Sequence, residues 1–374
     1  MSRWSIATLT LVTVFALNTG CTHDDTILIG LAGPFTEERG TSMRRAAELA
    51  VREINGRGGI NGRLLELVIV DDSADADRAL RVARQLYDNN RVVAVIGHLT
   101  SATTLAAAPI YGGGNDPVVE ISPSASSPLI SNAGPFTFRV CPTDRVHGAR
   151  LADWARSALG AERAAILYRN DVYGRSVRAT FLADFISLGG SVVTNDPFLD
   201  EIPSFEPYLR RLQQQGGADV VLIAGTQEDA GRILPLLETL GIQARVLGSD
   251  RLSGIQEAVA LAEGTYISSA YLPDRPGDRN DQFIRAYRTA YRNQLPDHRG
   301  AGTYDILYLL TQAIGVVGPS RRRIRDYLAQ IGRELAGFEG VTGTIAFDEH
   351  GDVPSKTVVV GVVSNRRLIT APGQ

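Results

Sequence analysis

Short apolar runs alternate with longer stretches in which apolar residues recur at helical spacing, from Thr26 almost to the end of the chain. "TILIGLAG" (Thr26 to Gly33) opens the series as a buried-strand run ending in Gly-Pro. Thr41 or Ser42 then caps a segment whose apolar positions Met43, Ala47, Ala50, Val51 and Ile54 follow helical spacing, and "NGRGG" stops it. "LLELVIV" (Leu64 to Val70), "VVAVI" (Val92 to Ile96) and "PVVEI" (Pro117 to Ile121) predict further strands, separated by helices over 75–89 and 103–111. Runs this continuously apolar suit a parallel sheet covered on both faces.

A second series repeats the design. "AAILY" (Ala164 to Tyr168), "SVVT" (Ser191 to Thr194), "DVVLIAG" (Asp219 to Gly225) and "ARVLGSD" (Ala244 to Asp250) alternate with helices predicted over 145–159, 174–188, 205–215 and 228–240. Three mostly helical segments follow from Arg279 to Leu335, with only weak strand signals between them. "TGTIAFDEHGD" (Thr342 to Asp352) and "KTVVVGVV" (Lys356 to Val363) are late strands, expected to return the chain to one domain and then the other. Two α/β units are indicated, and 374 residues suffice for them, since single cores rarely grow much past roughly 250 residues.

Composition narrows the function. A hydrophobic content of 44%, a charged content of 21% and a net charge of −3 describe an ordinary soluble protein, with no basic excess to steer it onto nucleic acid. Almost all cationic residues are scattered arginines, Lys356 being the only lysine, which reads as a composition bias. Arg3 precedes an apolar stretch, Ile6 to Leu17, too short to span a bilayer and proportioned like the core of a signal peptide. "LNTGC" followed by the polar "THDD" resembles a bacterial lipoprotein processing site, with Cys21 as the lipidated first residue. The alternative is ordinary cleavage that leaves Cys21 unmodified. With Cys21 lipidated, Cys141 is the only thiol left and no disulfide framework is possible.

Catalytic templates are absent from the sequence. It contains no GxSxG elbow, GxxxxGK[ST] loop, HExxH or CxxC, and His23, His98, His147, His298 and His350 are too dispersed to suggest a metal site. Neither a metal nor a cofactor is implied. What the sequence offers instead is hydroxyls and carboxylates at the carboxyl ends of strands, where open α/β sheets place their ligands. Ser101, Thr103 and Thr104 in "GHLTSATT" follow the strand at Val92, and "SPSASS" (Ser122 to Ser127) follows the next strand. Hydroxyls and backbone N–H groups near a helix start suit a carboxylate; the plainer alternative is capping and turn formation. His98 either lines this site or bonds nearby backbone. In the second unit Tyr173 lies in "NDVYGRS" and Asp250 in "LGSD", each just past a strand. A carboxylate there can pair with an ammonium group, and closure that excludes water strengthens the pair; alone, Asp250 reads equally as an N-cap.

These residues carry a resemblance. The run "ILIGLAGPFTEERGTSMRRAAELAVREINGRGGINGRLLELVIVDD" (Ile27 to Asp72) resembles the opening of type I periplasmic binding proteins of the branched-chain amino acid (leucine/isoleucine/valine-binding) family of ABC transporter substrate-binding proteins. The likeness continues in order through "VIGHLTSATT", "ISPSASS", "YRNDVYGRS", "GADVVLIAG", "AGTYDILYLLTQAI" and "GVTGTIAFDEHGD". It implies an α/β fold of two Rossmann-like domains with parallel-type central sheets, joined by a three-strand hinge, that close on a small amino acid and deliver it to an ABC permease. On that layout residues 1–20 are the signal peptide and 21–25 a lipid-anchor linker. Residues 26–144 plus 273–348 form the N-terminal lobe, and 145–272 plus 349–370 the C-terminal lobe.

The resemblance further implies that Ser101 and Ser126, with backbone near Ser124, hold the α-carboxylate, and that Tyr173 and Asp250 hold the α-ammonium. Departures fall where the aliphatic binders place aromatics: here stand Arg39 in the first loop and Thr226 and Gln227 after the strand Asp219 to Gly225. Such a pocket suits leucine badly, because a charge or amide buried against hydrocarbon is left unpaired. The expected ligand is a polar or acidic amino acid or a related small carboxylate. Alternatively Arg39 points to solvent and pairs with Glu37 or Glu38. The expected protein is monomeric, extracytoplasmic and held to the membrane only through its lipid. The rival reading is a ligand sensor or a cell-envelope regulatory lipoprotein on the same fold, with an enzyme more distant.

Overall fold

The structure, a computed structural model, describes residues 26–374. The processing site and Cys21 therefore lie outside the described residues. Among the described residues, fourteen strands and eleven α-helices alternate. The first sheet holds β1 (Ile27–Gly33), β2 (Leu65–Asp71), β3 (Val92–Ile96), β4 (Val119–Ser122) and β5 (Thr137–Arg139) in the order β2-β1-β3-β4-β5, all parallel. The second holds β6 (Arg163–Arg169), β7 (Ser191–Phe198), β8 (Val220–Ala224), β9 (Arg245–Gly248) and β10 (Tyr266–Ser269). A small hairpin of β11 (Phe338–Gly340) and β12 (Gly343–Ile345) stands apart, and β13 (Val359–Ser364) and β14 (Arg367–Thr370) complete the second sheet as β14-β13-β10-β9-β8-β6-β7.

The helices are α1 (Glu38–Gly56), α2 (Ala76–Asp88) and α3 (Ser101–Tyr111) in the first unit, then α4 (Asp144–Asp153), α5 (Val172–Ser187), α6 (Glu206–Gln214), α7 (Gln227–Thr239) and α8 (Ile255–Ala258) in the second. α9 (Asp278–Ala290), α10 (His298–Val317) and α11 (Arg321–Leu328) follow. The pattern of apolar runs explains the layers. Along β1, Ile29 and Leu31 face a core shared with Met43 and Ala47 of α1 and Ile306 and Leu310 of α10. Leu28 and Ala32 face the opposite core, with Val82 and Leu86 of α2 and Ala107 of α3. Each sheet is buried on both faces, as parallel sheets require. In the second unit Leu167 and Ile223 pack with Ile233 and Leu237 of α7, while Ile166 and Leu222 pack with Phe181 and Phe185 of α5.

Two lobes result, and the chain passes between their sheets three times: after β5, after β10 and after β12. The α/β class and the type I arrangement expected from the sequence are therefore present. The second sheet differs in detail, because β13 and β14 add antiparallel to the β10 edge. The late "TGTIAFDEHGD" run yields only the hairpin strand β12, which packs on the first lobe through Ile345 and Phe347. The weakly patterned β5, at the edge of the first sheet, and β10, between β9 and β13 in the second, have no sequence signal of their own.

The last crossing is fixed by the single lysine. Lys356 is buried and its ammonium donates to Thr342 Oγ1 at 2.6 Å, which in turn donates to Asp305 Oδ2 at 2.5 Å. Asp305, on α10, also accepts the backbone N–H groups of Val341 and Thr342. Burial lowers the Lys356 ammonium to about 8 even though Asp305 supports its charge. Lys356→Met is expected to lower unfolding free energy by about 2–4 kcal/mol, since it strands a buried carboxylate; urea denaturation at pH 7 checks it, and an unchanged midpoint would remove the crossing's ionic anchor from this account.

Candidate functional site

The two sheets share one plan. β7-β6-β8-β9-β10 repeats the order β2-β1-β3-β4-β5, so each lobe has a topological switch point beside its first strand, where α/β sheets open a crevice beyond the strand ends. Five of those strand ends deliver the side chains of the site. β1 leads to Arg39 at the start of α1, β3 to Thr100 and Ser101, and β4 to the loop bearing Ser124. From the second lobe β6 leads to Tyr173 and β9 to Asp250 and Arg251. Two glycines bring helix starts against the strand ends: a Cβ at Gly40 would stand 2.1 Å from Pro34 O, and one at Gly174 would stand 2.1 Å from Arg169 O.

Hydroxyls build the first-lobe wall. Thr100 caps α3 in a reciprocal box with Thr103. Ser122 Oγ donates to His98 O at 2.6 Å and accepts from Ala125 N at 2.9 Å, which folds the 123–127 loop back on β3. Ser101 Oγ accepts from Ser127 N at 3.2 Å. Beneath this loop lies Arg139, fully buried, whose guanidinium binds Asp352 Oδ1 at 2.7 Å, Ser127 O at 2.7 Å and Ser131 Oγ at 2.8 Å. His98 does not line the site. It is fully buried between Asp72 (2.6 Å) and the Tyr111 hydroxyl (3.2 Å) and braces the first lobe.

The second-lobe wall is ionic. The Tyr173 hydroxyl donates to Asp250 Oδ1 at 2.8 Å. Arg251 lies over the Tyr173 ring, 4.1 Å from its centroid, and binds Asp171 at 2.7 Å. Burial opposes the Arg251 charge, but Asp171 and the neighbouring Tyr173 and Asp250 hold its pKa above the ordinary value. Burial also pushes the Asp250 carboxyl upward, yet His147, His298, the Tyr173 hydroxyl and Arg299 together hold it below the usual carboxylate range.

The lobes touch across this wall. Arg299 of α10 donates to Asp250 O at 3.2 Å, His298 Nε2 stands 3.7 Å from Asp250 Oδ2, and the hydroxyls of Ser127 and Ser176 meet at 3.2 Å. Between them remains a cavity of about 20 Å³ lined by Arg39, Leu99, Thr100, Ser101, Ser124, Tyr173, Asp250, Arg251 and Arg299. It has room for about one water molecule, so an amino acid enters only if the lobes separate or their side chains shift. A cleft of about 140 Å³ adjoins it, sharing Arg39 and Arg299 and including Gln227 and His298.

The structure thus brings together Arg39, Ser101, Ser124, Tyr173 and Asp250. Arg39 also pairs with Glu37 at 2.5 Å, so the pairing of the alternative reading occurs while the side chain lines the cavity rather than pointing to solvent. Ser126 is buried and does not line the cavity. Thr226 is not among the lining residues either: it caps α7 and donates to Asp229 Oδ2 at 2.9 Å. Sequence reading missed Arg251, His298 and Arg299. Arg251 follows Asp250 directly, but a scattered arginine background masked it; the other two arrive from a distant helix start. Among the described residues no group of His, Cys, Asp and Glu is placed to hold a metal ion, and no helix is long and apolar enough to cross a membrane.

Two lobes hinged by three crossings, with a polar cleft between strand ends, define a solute-binding protein. The sequence pattern of the periplasmic binding protein family matches residues 26–367, and the chain belongs to that family, the extracytoplasmic binding components of ABC importers. Among relatives, the leucine-, isoleucine-, valine-, threonine- and alanine-binding protein of Pseudomonas aeruginosa is 27% identical over 337 residues, covering 88% of this chain and 87% of the relative. A substrate-binding protein of Desulfitobacterium hafniense, solved with leucine, is 30% identical with a TM-score of 0.80 and covers 92% of this chain and 100% of its own. A leucine-binding protein of Thermotoga maritima is 26% identical with a TM-score of 0.84, covering 92% of this chain and 97% of its own.

Because Arg139 satisfies Asp352 and the loop carbonyls of Ala125 and Ser127 at once, Arg139→Met is expected to cost about 3–5 kcal/mol of stability. Chemical denaturation measures it, and a loss under about 1 kcal/mol would show that the serine loop does not depend on that guanidinium.

Proposed function

We propose that this chain captures a polar or acidic amino acid, or a related small carboxylate, by closure of its two lobes and presents it unchanged to an ABC permease. The observation that carries this reading is the opposition, across one cleft, of the Ser101 and Ser124 hydroxyl wall to the Tyr173–Asp250 pair. Hydroxyls and helix-start N–H groups suit the α-carboxylate, and a depressed, buried carboxylate suits the α-ammonium. No nucleophile is required for such a task. The side chain of the ligand then meets Arg39, Arg299 and Gln227 at the adjoining cleft, polar groups held there by Glu37, Asp297 and the Ser253 carbonyl, whose remaining donors a polar side chain can engage and a hydrocarbon only desolvates. The aliphatic ligands named for the relatives are therefore a poor match for this mouth.

The rest of the reading follows from the sequence. Residues 26–144 with 273–348 act as one lobe and 145–272 with 349–370 as the other. The protein is exported, carries its lipid on Cys21, works as a monomer at the extracytoplasmic face and needs neither cofactor nor metal. Ligand then shifts the population toward the closed form that the permease recognises.

A thermal-shift screen of residues 22–374 against the twenty amino acids tests this directly. A ligand in hundredfold excess over its Kd stabilises the folded state by about 2.7 kcal/mol. Glutamate, aspartate or their amides are expected to give the largest shifts, and Arg299→Met to abolish the preference among them. Leucine and valine outranking every polar amino acid would contradict the side-chain assignment.

A further inference from the structure

The wall of the interlobe cavity is unbalanced in charge. Arg39, Arg251 and Arg299 all line it, while Asp250 is the one carboxylate that does so among the described residues. A cavity of about 20 Å³ holds about one water molecule, so groups on its opposite walls stand close together. The three arginines converge from separate elements: Arg39 from the start of α1, Arg299 from the start of α10, and Arg251 from the turn after β9 in the other lobe. Burial lowers the pKa of Arg39, and the charges of Arg251 and Arg299 lower it further, although Glu37 opposes them.

Each of these guanidinium groups has a carboxylate behind it. Arg39 binds Glu37 at 2.5 Å, Arg251 binds Asp171 at 2.7 Å and Arg299 binds Asp297 at 2.5 Å. None of the three carboxylates lines the cavity. Each is also the more exposed member of its pair: 39% against 21%, 34% against 12% and 23% against 4%. Water therefore screens the outer, negative charges more than the inner, positive ones. The pairs hold the guanidinium planes in place, and the Tyr173 ring, 4.1 Å away, adds a second restraint on Arg251. An arginine carries five N–H donors, and these bonds engage only some of them. Arg39 uses Nε on Glu37, and Arg251 uses Nη1 on Asp171.

Asp250 does not cancel this excess, because in the reading above it is matched by the ammonium of the ligand. Three inward guanidinium groups are left to face the rest of the molecule. A neutral amide offers them carbonyl lone pairs but no charge, so the cations still repel one another around it. An oxyanion offers both lone pairs and charge. Arg39 and Arg299 also line the adjoining cleft, whereas Arg251 lines the cavity alone, which puts their meeting point at the seam between the two spaces. We propose that Arg39, Arg251 and Arg299 form a receptor for a second oxyanion, so that the ligand is an amino acid of net negative charge with a distal carboxylate, sulfonate or phosphate. The assignment rests on the amino-acid reading above and narrows it, because the receptor discriminates against neutral polar side chains.

Selectivity and closure then share one contact. Arg39 and Arg299 belong to the first lobe, and Arg251 joins them only when the second lobe comes up against it. Closure without an anion brings like charges together. An oxyanion between them removes that repulsion and bridges the lobes, so the ligand that fits the receptor is also the one that favours the closed form.

Calorimetry of residues 22–374 with the twenty amino acids, cysteate and phosphoserine compares matched side chains: glutamate with glutamine, aspartate with asparagine, and the sulfonate and phosphate with serine. The expected result is that the tightest binder is one of the anions, held about a hundredfold more tightly than its neutral counterpart. In Arg251→Met that ratio should fall at least tenfold, while the Kd of the neutral counterpart changes less than about threefold. Arg39→Met, at the most exposed of the three pairs, repeats the comparison where Arg251→Met does not fold. Whether carboxylate, sulfonate or phosphate ranks first, the receptor is supported and its preferred oxyanion is named. A neutral amino acid that binds as tightly as the anions, or a ratio unchanged in the folded variants, overturns the receptor and leaves the amino-acid reading standing. Failure of every amino acid to bind overturns that reading, and this inference with it.

Discussion

A buried negative charge at the junction of two lobes governs this structure. Asp250 is 2% exposed, and an isolated carboxylate in such a place would be expensive. It stays ionised because groups from both lobes surround it: the Tyr173 hydroxyl from its own lobe, and Arg299 from the other. Separating the lobes removes part of that support and lets water in. The charge and the closure are therefore one property. An arriving ammonium can replace support that opening removes, which is how a binding site and a hinge come to be coupled.

The rest of the molecule holds that junction in register. Parallel strands buried on both faces make each lobe rigid and point every functional loop the same way. Arg139 ties the serine loop to Asp352 on the third crossing, and Lys356 ties that crossing to α10 through Thr342 and Asp305. α10 in turn begins at His298 and Arg299. The ionic contacts of the hinge and the polar groups of the cleft are thus linked through short, directed hydrogen bonds. Small polar residues do the remaining work, as capping groups that are also cleft walls.

Much of this was legible in the sequence where one local signal was enough. Continuous apolar runs gave β1, β3, β6 and β8, and position just past a strand pointed to Ser101, Ser124, Tyr173 and Asp250. Local signals failed where tertiary pairing decided the outcome. "TFR" and "YISS" become β5 and β10 only because neighbouring strands offer partners. Thr226 looked like a cleft residue because a hydroxyl past a strand also describes an N-cap, and capping is what it does. His298 and Arg299 reach the cleft from a helix more than a hundred residues beyond Tyr173, and nothing in their spacing announces it.

The central claim is that the charge of Asp250 receives a cationic ligand group while the first lobe receives an anionic one. Equilibrium dialysis of wild type and Asp250→Asn separates the two halves, because the amide keeps the shape of the side chain and removes its charge. The measurement compares the tightest-binding amino acid with the α-hydroxy acid of the same side chain. The account predicts that Asp250→Asn weakens the amino acid at least a hundredfold, roughly 2.7 kcal/mol, and leaves the hydroxy acid nearly unchanged. Equal losses for both ligands, or no loss for the amino acid, would contradict it.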